Sequence, residues 1–335
     1  MDPVTQGVFG SLWAQAGARR ERMRTAAAAG FFGGMAPDLD VLIRSQTDSL
    51  LYIEYHRHFT HSLIFIPVGG LVVALVLWPL FKRWTRFGPL YLWCALGYAS
   101  HGLLDAFTSY GTQLLWPFSD ARVAWNFISV IDPLFTVPVA LILGMALWQR
   151  RRTPALLAAG WAAMYLTVGG IQQHRAEQVL EQWAGDQGIS IERLVAKPSF
   201  ANLVLWRGLI DDGQRLHLAA IRNLPRTRPL VYPGDSVERF SVAPFDPDSR
   251  LGDDLRRFEH FSAGWLFRYR PYEEAGSWFV ADFRYAIDPA STRPLWGIRF
   301  DSDAPEGRVE YETPRVVTEE ERERFWARLL GRIPD

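Results

Sequence analysis

The strongest constraint in this sequence is a set of apolar stretches crowded into its first half. Residues 63–81, 87–108, 127–148 and 155–171 carry little charge and come close to the ~20 residues that an α-helix needs to cross a bilayer, the last being short. Few other folds are open to such runs, because backbone groups without partners are costly in hydrocarbon and a helix satisfies its own. Two further apolar stretches, 4–18 and 25–43, precede them, and Pro37 and Asp38 break the second. Gly30, Gly33, Gly34 and the run Ala26 to Ala29 suit close helix packing inside a bundle.

The rest of the chain has a different character. Hydrophobic residues make up 49% of 335, yet mean hydropathy is only -0.03, because the apolar residues are concentrated before Gln172. From His174 onward Arg175, Glu177 and Glu181 bring charge back, continuing the preceding helix into solvent. Short alternating runs at 203–209, 216–221, 265–269, 278–285, 295–300 and 308–311 read as strands separated by Gly, Pro and Asp turns. A charged helix over 318–330 closes the chain, with Thr318 and Glu321 forming a capping box. The expected architecture is an α-helical multi-pass membrane domain over residues 1–173, followed by a small soluble α+β domain over 174–335.

With 36 basic and 36 acidic residues the formal net charge is +0, so no global field argues for nucleic acid as a partner. The expected partner is the lipid bilayer. A single cysteine, Cys94, excludes an intrachain disulfide framework and any Cys-rich zinc ribbon. Metal ligands must then be His and carboxylate. Residues 1–6 have no basic stretch ahead of the apolar run and read as mature fold, not as a cleavable signal. Trp78, Trp84, Trp93, Trp116 and Trp125 read as anchors at the membrane interface.

Lys and Arg in short loops stay on the cytoplasmic side. They cluster at 19–24, 82–86 and 150–152, after the first, third and fifth apolar segments, which fixes a six-segment topology with the C-terminal domain outside the cytoplasm. Ionisable residues in apolar segments are functional candidates, and this topology carries them all to the outer side. Asp38 and Asp40 end the second segment, and His56, His58 and His61 lie in the loop before the third. His101 and Asp105 share one face of the fourth by their four-residue spacing, and Asp132 begins the fifth. Imidazole with carboxylate suits a divalent transition metal, zinc first and manganese or iron as alternatives, and the number of donors allows one ion or two. The metal ligands expected are Asp38, His56, His61, His101, Asp105 and Asp132, with Asp40 as the general base of hydrolysis by metal-activated water. A site at bilayer depth points to a lipid or lipid-linked ester or phosphoester. An ion or proton transporter and a non-catalytic membrane interaction protein use similar residues and stay open. His217 and His260 have no cluster around them.

Four motifs then carry a resemblance. Met1-Asp2-Pro3-Val4-Thr5-Gln6, Pro37-Asp38-Leu39-Asp40, His56-Arg57-His58-Phe59-Thr60-His61-Ser62, and the run from Gly97 to Asp105 with Thr108, Gly111 and Pro117-Phe118 resemble the YdjM-like family of inner-membrane metal-dependent hydrolases, over residues 1–150. The resemblance implies that Asp38, His56, His61, His101 and Asp105 are metal-site positions. Many members of that family carry His where this chain has Gln6, and the position of His58 varies among them.

A reporter fused after Asp335 is expected to behave as extracytoplasmic and one inserted at Arg151 as cytoplasmic. A cytoplasmic C-terminal fusion would mean that residues 155–171 do not cross.

Overall fold

Asp2 and Pro3 start the first helix. Pro3 supplies the φ of a first turn, and the Asp2 carboxylate accepts from the Thr5 N–H as N-cap of α1 (Pro3–Gly17). The computed structural model describes residues 1–274, 276–314 and 317–332. The N-terminal region is helical and the C-terminal region is built on β-sheet. Two compact units divide the chain: Met1–Ile43, Tyr55–Gly170 and Phe200–Asn202 form one, and Arg44–Glu54, Ile171–Ser199 and Leu203–Asp335 the other.

In the first unit α2 (Met23–Met35) gives way at Pro37 to a 3-10 segment, Ala36–Leu42. That unit also holds α4 (Ile66–Phe81), α5 (Phe87–Ala106), α6 (Pro133–Gln149) and the first part of the 36-residue α7 (Arg152–Gln187), while the short α3 (Leu51–Tyr55) falls almost wholly in the second unit. The helix expected from residue 127 begins at Pro133, because Asp132 accepts from the Leu134 and Phe135 N–H groups and caps it there. Trp93, expected at the membrane interface, is buried with Leu90, Cys94, Met23 and Ala26 between helices. The three innermost helices meet backbone to backbone: a side chain at Gly97 of α5 would run into the Gly30 carbonyl of α2.

Outward-facing surfaces are apolar. Val72, Leu75, Val76 and Leu80 on α4, Val137, Leu141 and Trp148 on α6, and Leu156, Leu157 and Met164 on α7 are all exposed. Contiguous apolar surface of this extent marks contact with lipid or protein. Leu63–Phe81 and Arg152–Gln187 are long and apolar enough to cross a membrane, and Pro133–Gln149 is apolar but shorter.

In the second unit β1 (Arg193–Pro198), β2 (Leu205–Asp211), β3 (Arg215–Arg222) and β4 (Leu230–Pro233) form an antiparallel sheet, with the short β5 (Val237–Glu238) also on β3. A second antiparallel sheet orders β6 (Leu266–Arg268), β7 (Trp278–Asp282), β8 (Gly297–Phe300) and β9 (Glu310–Glu312). Ala176, Leu180 and Ala184 of α7 pack on Trp206, Ile210 and Ile221 of the first sheet. Leu209 and Leu218 pack on Phe267, Phe279 and Phe283, which ties the two sheets together. Burying each such side chain contributes roughly 1.5–3 kcal/mol. Helix α8 (Arg250–Phe261), capped by Ser249, was not foreseen, whereas α9 (Glu319–Leu329) carries the expected Thr318–Glu321 capping box.

Gly97→Val is expected to lower the thermal stability of detergent-purified protein steeply, since overpacking costs about 1–3 kcal/mol where side chains can yield and more where backbone cannot. Gly160→Ala, with open space around it, is expected to leave the melting temperature unchanged or slightly raised.

Candidate metal centre

Three pieces of chain converge at the C-terminal end of α5, all within the first unit. His101 and Asp105 stand one turn apart on its inner face, both 0% exposed. The 3-10 segment after Pro37 contributes Asp38 and Asp40. The third piece, residues 56–61, ends in a 3-10 turn, Phe59–His61. It can lie against α5 because position 102 is glycine: a side chain there would strike the His61 carbonyl. Tyr98 fastens the same segment by donating to the Thr60 carbonyl at 2.8 Å.

The donor atoms face one another. His61 Nε2 and His101 Nε2 are 2.9 Å apart. Asp38 Oδ1 lies 3.6 Å from the first and 3.4 Å from the second, and Asp105 Oδ2 lies 3.3 Å and 3.5 Å from them. Asp38, His61, His101 and Asp105 thus present one ligand atom each within 4.8 Å of one another, and Asp38, Asp40 and His56 form a second such group. Asp38 belongs to both.

The far sides of the imidazoles are anchored. His101 Nδ1 lies against the Gly34 carbonyl, and His61 Nδ1 sits 3.2 Å from Asp40 Oδ2. A backbone carbonyl or carboxylate behind a ligating histidine fixes its ring and aims the other nitrogen. Asp40 does more than this. Its Oδ1 is 2.8 Å from His56 Nδ1, and its Oδ2 accepts from the Arg57 N–H at 3.0 Å and the Thr60 hydroxyl at 2.9 Å.

Among the clustered carboxylates, Asp38 Oδ2 and Asp105 Oδ2 are buried without a hydrogen bond, the second held in an ion pair with Arg57 Nε at 3.1 Å. Buried carboxylate oxygens are ordinarily satisfied, so such acceptors beside two aimed imidazoles fit a bound divalent cation. Burial pushes His61 down, yet Asp105, Asp38 and Asp40 together raise it to about 10. A cation entering the cluster would displace that proton, so its binding weakens as pH falls. Burial holds His56 below its ordinary value.

Of the residues singled out in the sequence, Asp38, Asp40, His56, His61, His101 and Asp105 come together. Asp132 does not: it caps α6 and accepts from the Tyr165 hydroxyl at 2.9 Å, outside both groups of potential ligands. His58 stacks against Tyr55 and Trp116. Sequence reasoning missed Gln6 as a partner and gave Arg57 no part. Gln6 Nε2 donates to Asp105 Oδ1 at 2.8 Å, and the Met1 amino group pairs with the same oxygen. Arg57, a charged residue between two candidate ligands, was the available signal.

A family model described as YdjM inner membrane protein matches residues 1–176, which include every residue of the cluster. The chain belongs to this family. It is therefore a membrane protein, in keeping with the apolar surface of α4, α6 and α7. The uncharacterized protein YfhP of Bacillus subtilis is 28% identical over 173 residues, covering 50% of this chain and 50% of that protein. The inner membrane protein YbcI of Escherichia coli is 34% identical over 148 residues, covering 37% of this chain and 83% of that protein. The chain thus spans about half the length of YfhP. No solved structure matches it.

Protein purified without chelator is expected to carry at least one transition metal ion, and the His101→Ala, Asp105→Ala double variant to lose most of it, as read by elemental analysis. Asp132→Ala is expected to keep the metal while losing about 1 kcal/mol of stability with its cap.

Proposed function

We propose that this family member is a multi-pass membrane hydrolase whose metal is held by Asp38, His61, His101 and Asp105. The observation that carries this reading is the convergence of Asp38 Oδ1 and Asp105 Oδ2 on the Nε2 atoms of two anchored imidazoles. The donor set suits zinc, with manganese or iron as alternatives. When bound, a divalent cation supplies a nucleophilic water at neutral pH and polarises the scissile ester.

The protein's own groups do the rest. Asp40, expected above as the general base, has its oxygens engaged by His56, His61, Thr60 and the Arg57 N–H. We assign it the positioning of both histidines. The proton acceptor is then His56, whose Nδ1 is tied to Asp40 and whose ring stays neutral near pH 7 because burial lowers its pKa. Its side chain is 16% exposed, against 12% for Asp38 and 0% for Asp40 and His61, so His56 is the most exposed imidazole of the cluster.

A substrate with an acyl or prenyl chain suits the surroundings. A cavity of about 540 Å³ lies between α1, α5 and α7, lined by Phe9, Trp13, Leu103, Leu104, Phe107 and Leu166 among others. Its lining is almost wholly apolar, and Leu104 adjoins Asp105 in the chain. An apolar cavity on the helix that also carries His101 and Asp105 suits a lipid or lipid-linked ester.

His61→Ala is expected to abolish both metal binding and hydrolysis of lipid phosphoesters in detergent. Asp40→Asn is expected to weaken metal affinity about 10- to 100-fold, the usual effect of removing a group behind a ligand. His56→Ala is expected to cut turnover by about 10²–10⁴-fold with metal content kept. If Asp40→Asn retains full metal while losing turnover to that extent, the base is Asp40 and His56 is not.

A further inference from the structure

Arg57 is 2% exposed, although guanidinium groups are seldom buried without a strong partner. Its backbone has φ of 64°, in the left-handed region that costs a non-glycine residue of order 1 kcal/mol or more. That conformation is held from both sides: the Arg57 N–H donates to Asp40 Oδ2 at 3.0 Å, and its carbonyl accepts from the Gln113 N–H at 3.0 Å. The fold thus maintains a disfavoured backbone in order to keep a cation inside the cluster.

The side chain is braced as firmly. Nη1 donates to the Thr108 hydroxyl at 2.9 Å, and the guanidinium lies over the Tyr110 ring at 4.9 Å. Nε lies 3.1 Å from Asp105 Oδ2, yet neither atom completes a hydrogen bond. The two are each other's partners, an ion pair without hydrogen-bond geometry, so a cation bound by Asp105 would draw the acid away from Arg57 and leave the guanidinium open to an anion. The cation takes the acid. The anion takes the guanidinium.

Resting on the reading of the centre given above, we propose that Arg57 is its oxyanion-recognising residue and selects phosphoesters over carboxylic esters. Its planar, always charged fork matches the oxygens of a phosphoryl group, which carry charge in the substrate itself. A carboxylic ester carries none until it reacts, so it gains far less from a fixed guanidinium. A merely structural Arg57 would hold Asp105 in place and leave anion affinity alone.

The test uses the full chain in detergent, loaded with zinc or manganese, with inorganic phosphate and acetate as probes in calorimetry and metal content measured in parallel. The unmutated protein is expected to bind phosphate at least about tenfold more tightly than acetate. Arg57→Gln and Arg57→Lys are each expected to keep the metal and to lose about tenfold or more in phosphate affinity, since lysine cannot reproduce the fork. Thr108→Val, which frees the guanidinium without removing it, is expected to give a smaller loss and covers the case in which Arg57→Gln fails to fold. Phosphate affinity that is no better than acetate, or that stays within twofold in metal-loaded Arg57→Lys and Thr108→Val, overturns the inference alone. Unmutated protein that takes up no metal overturns the reading of the centre, and this inference with it.

Discussion

One carboxylate organises the end of the helical unit where the His and Asp residues meet. Asp40 draws in His56, the Arg57 N–H, Thr60 and His61, which together form the segment between α3 and α4. That segment has almost no regular structure of its own, so its shape comes from what it bonds to. A buried polar hub is stable only when its members are satisfied. Here one acidic residue satisfies several donors at once. The positions of His61 and Arg57 both follow from it.

The helical frame supplies the other half of the arrangement. Its contacts are made where glycine removes the side chain, as at Gly97 against α2 and Gly102 against the His61 carbonyl. Without those gaps α5 would stand further from the 3-10 segment, and His101 could not reach its neighbours from the 38–61 region. Hydrophobic burial holds the helices together but does not set their spacing. In a lipid-facing bundle, close packing and polar contacts set that spacing.

Much of this was legible in the residues. The apolar runs gave α1, α4 and α5 within three positions, and the His101–Asp105 spacing gave a shared face, because both depend on local geometry alone. Asp132 was misleading for a physical reason: an acid at the start of an apolar helix is equally a cap, and sequence cannot distinguish a cap from a ligand that happens to lie at the same depth. Asp40 illustrates a different limit. Its proximity to Asp38 was plain, but its engagement by residues 16 to 20 positions away depends on how the intervening chain folds back. In the β-rich unit, β1 escaped notice because Lys197 and Pro198 interrupt its pattern, and α8 because its surface is so highly charged.

The hydrogen bond from Gln6 to Asp105 joins residues 99 positions apart. A ribosome delivers α1 to the membrane long before it delivers the end of α5. Through that interval Gln6 has no Asp105 to donate to, and the histidine at 61 waits for its counterpart at 101. The facing set of donors therefore exists only once the end of α5 has been made and has packed against the residues before it. A chain truncated before Asp105 would carry most of the hydrophobic bundle and no complete binding centre.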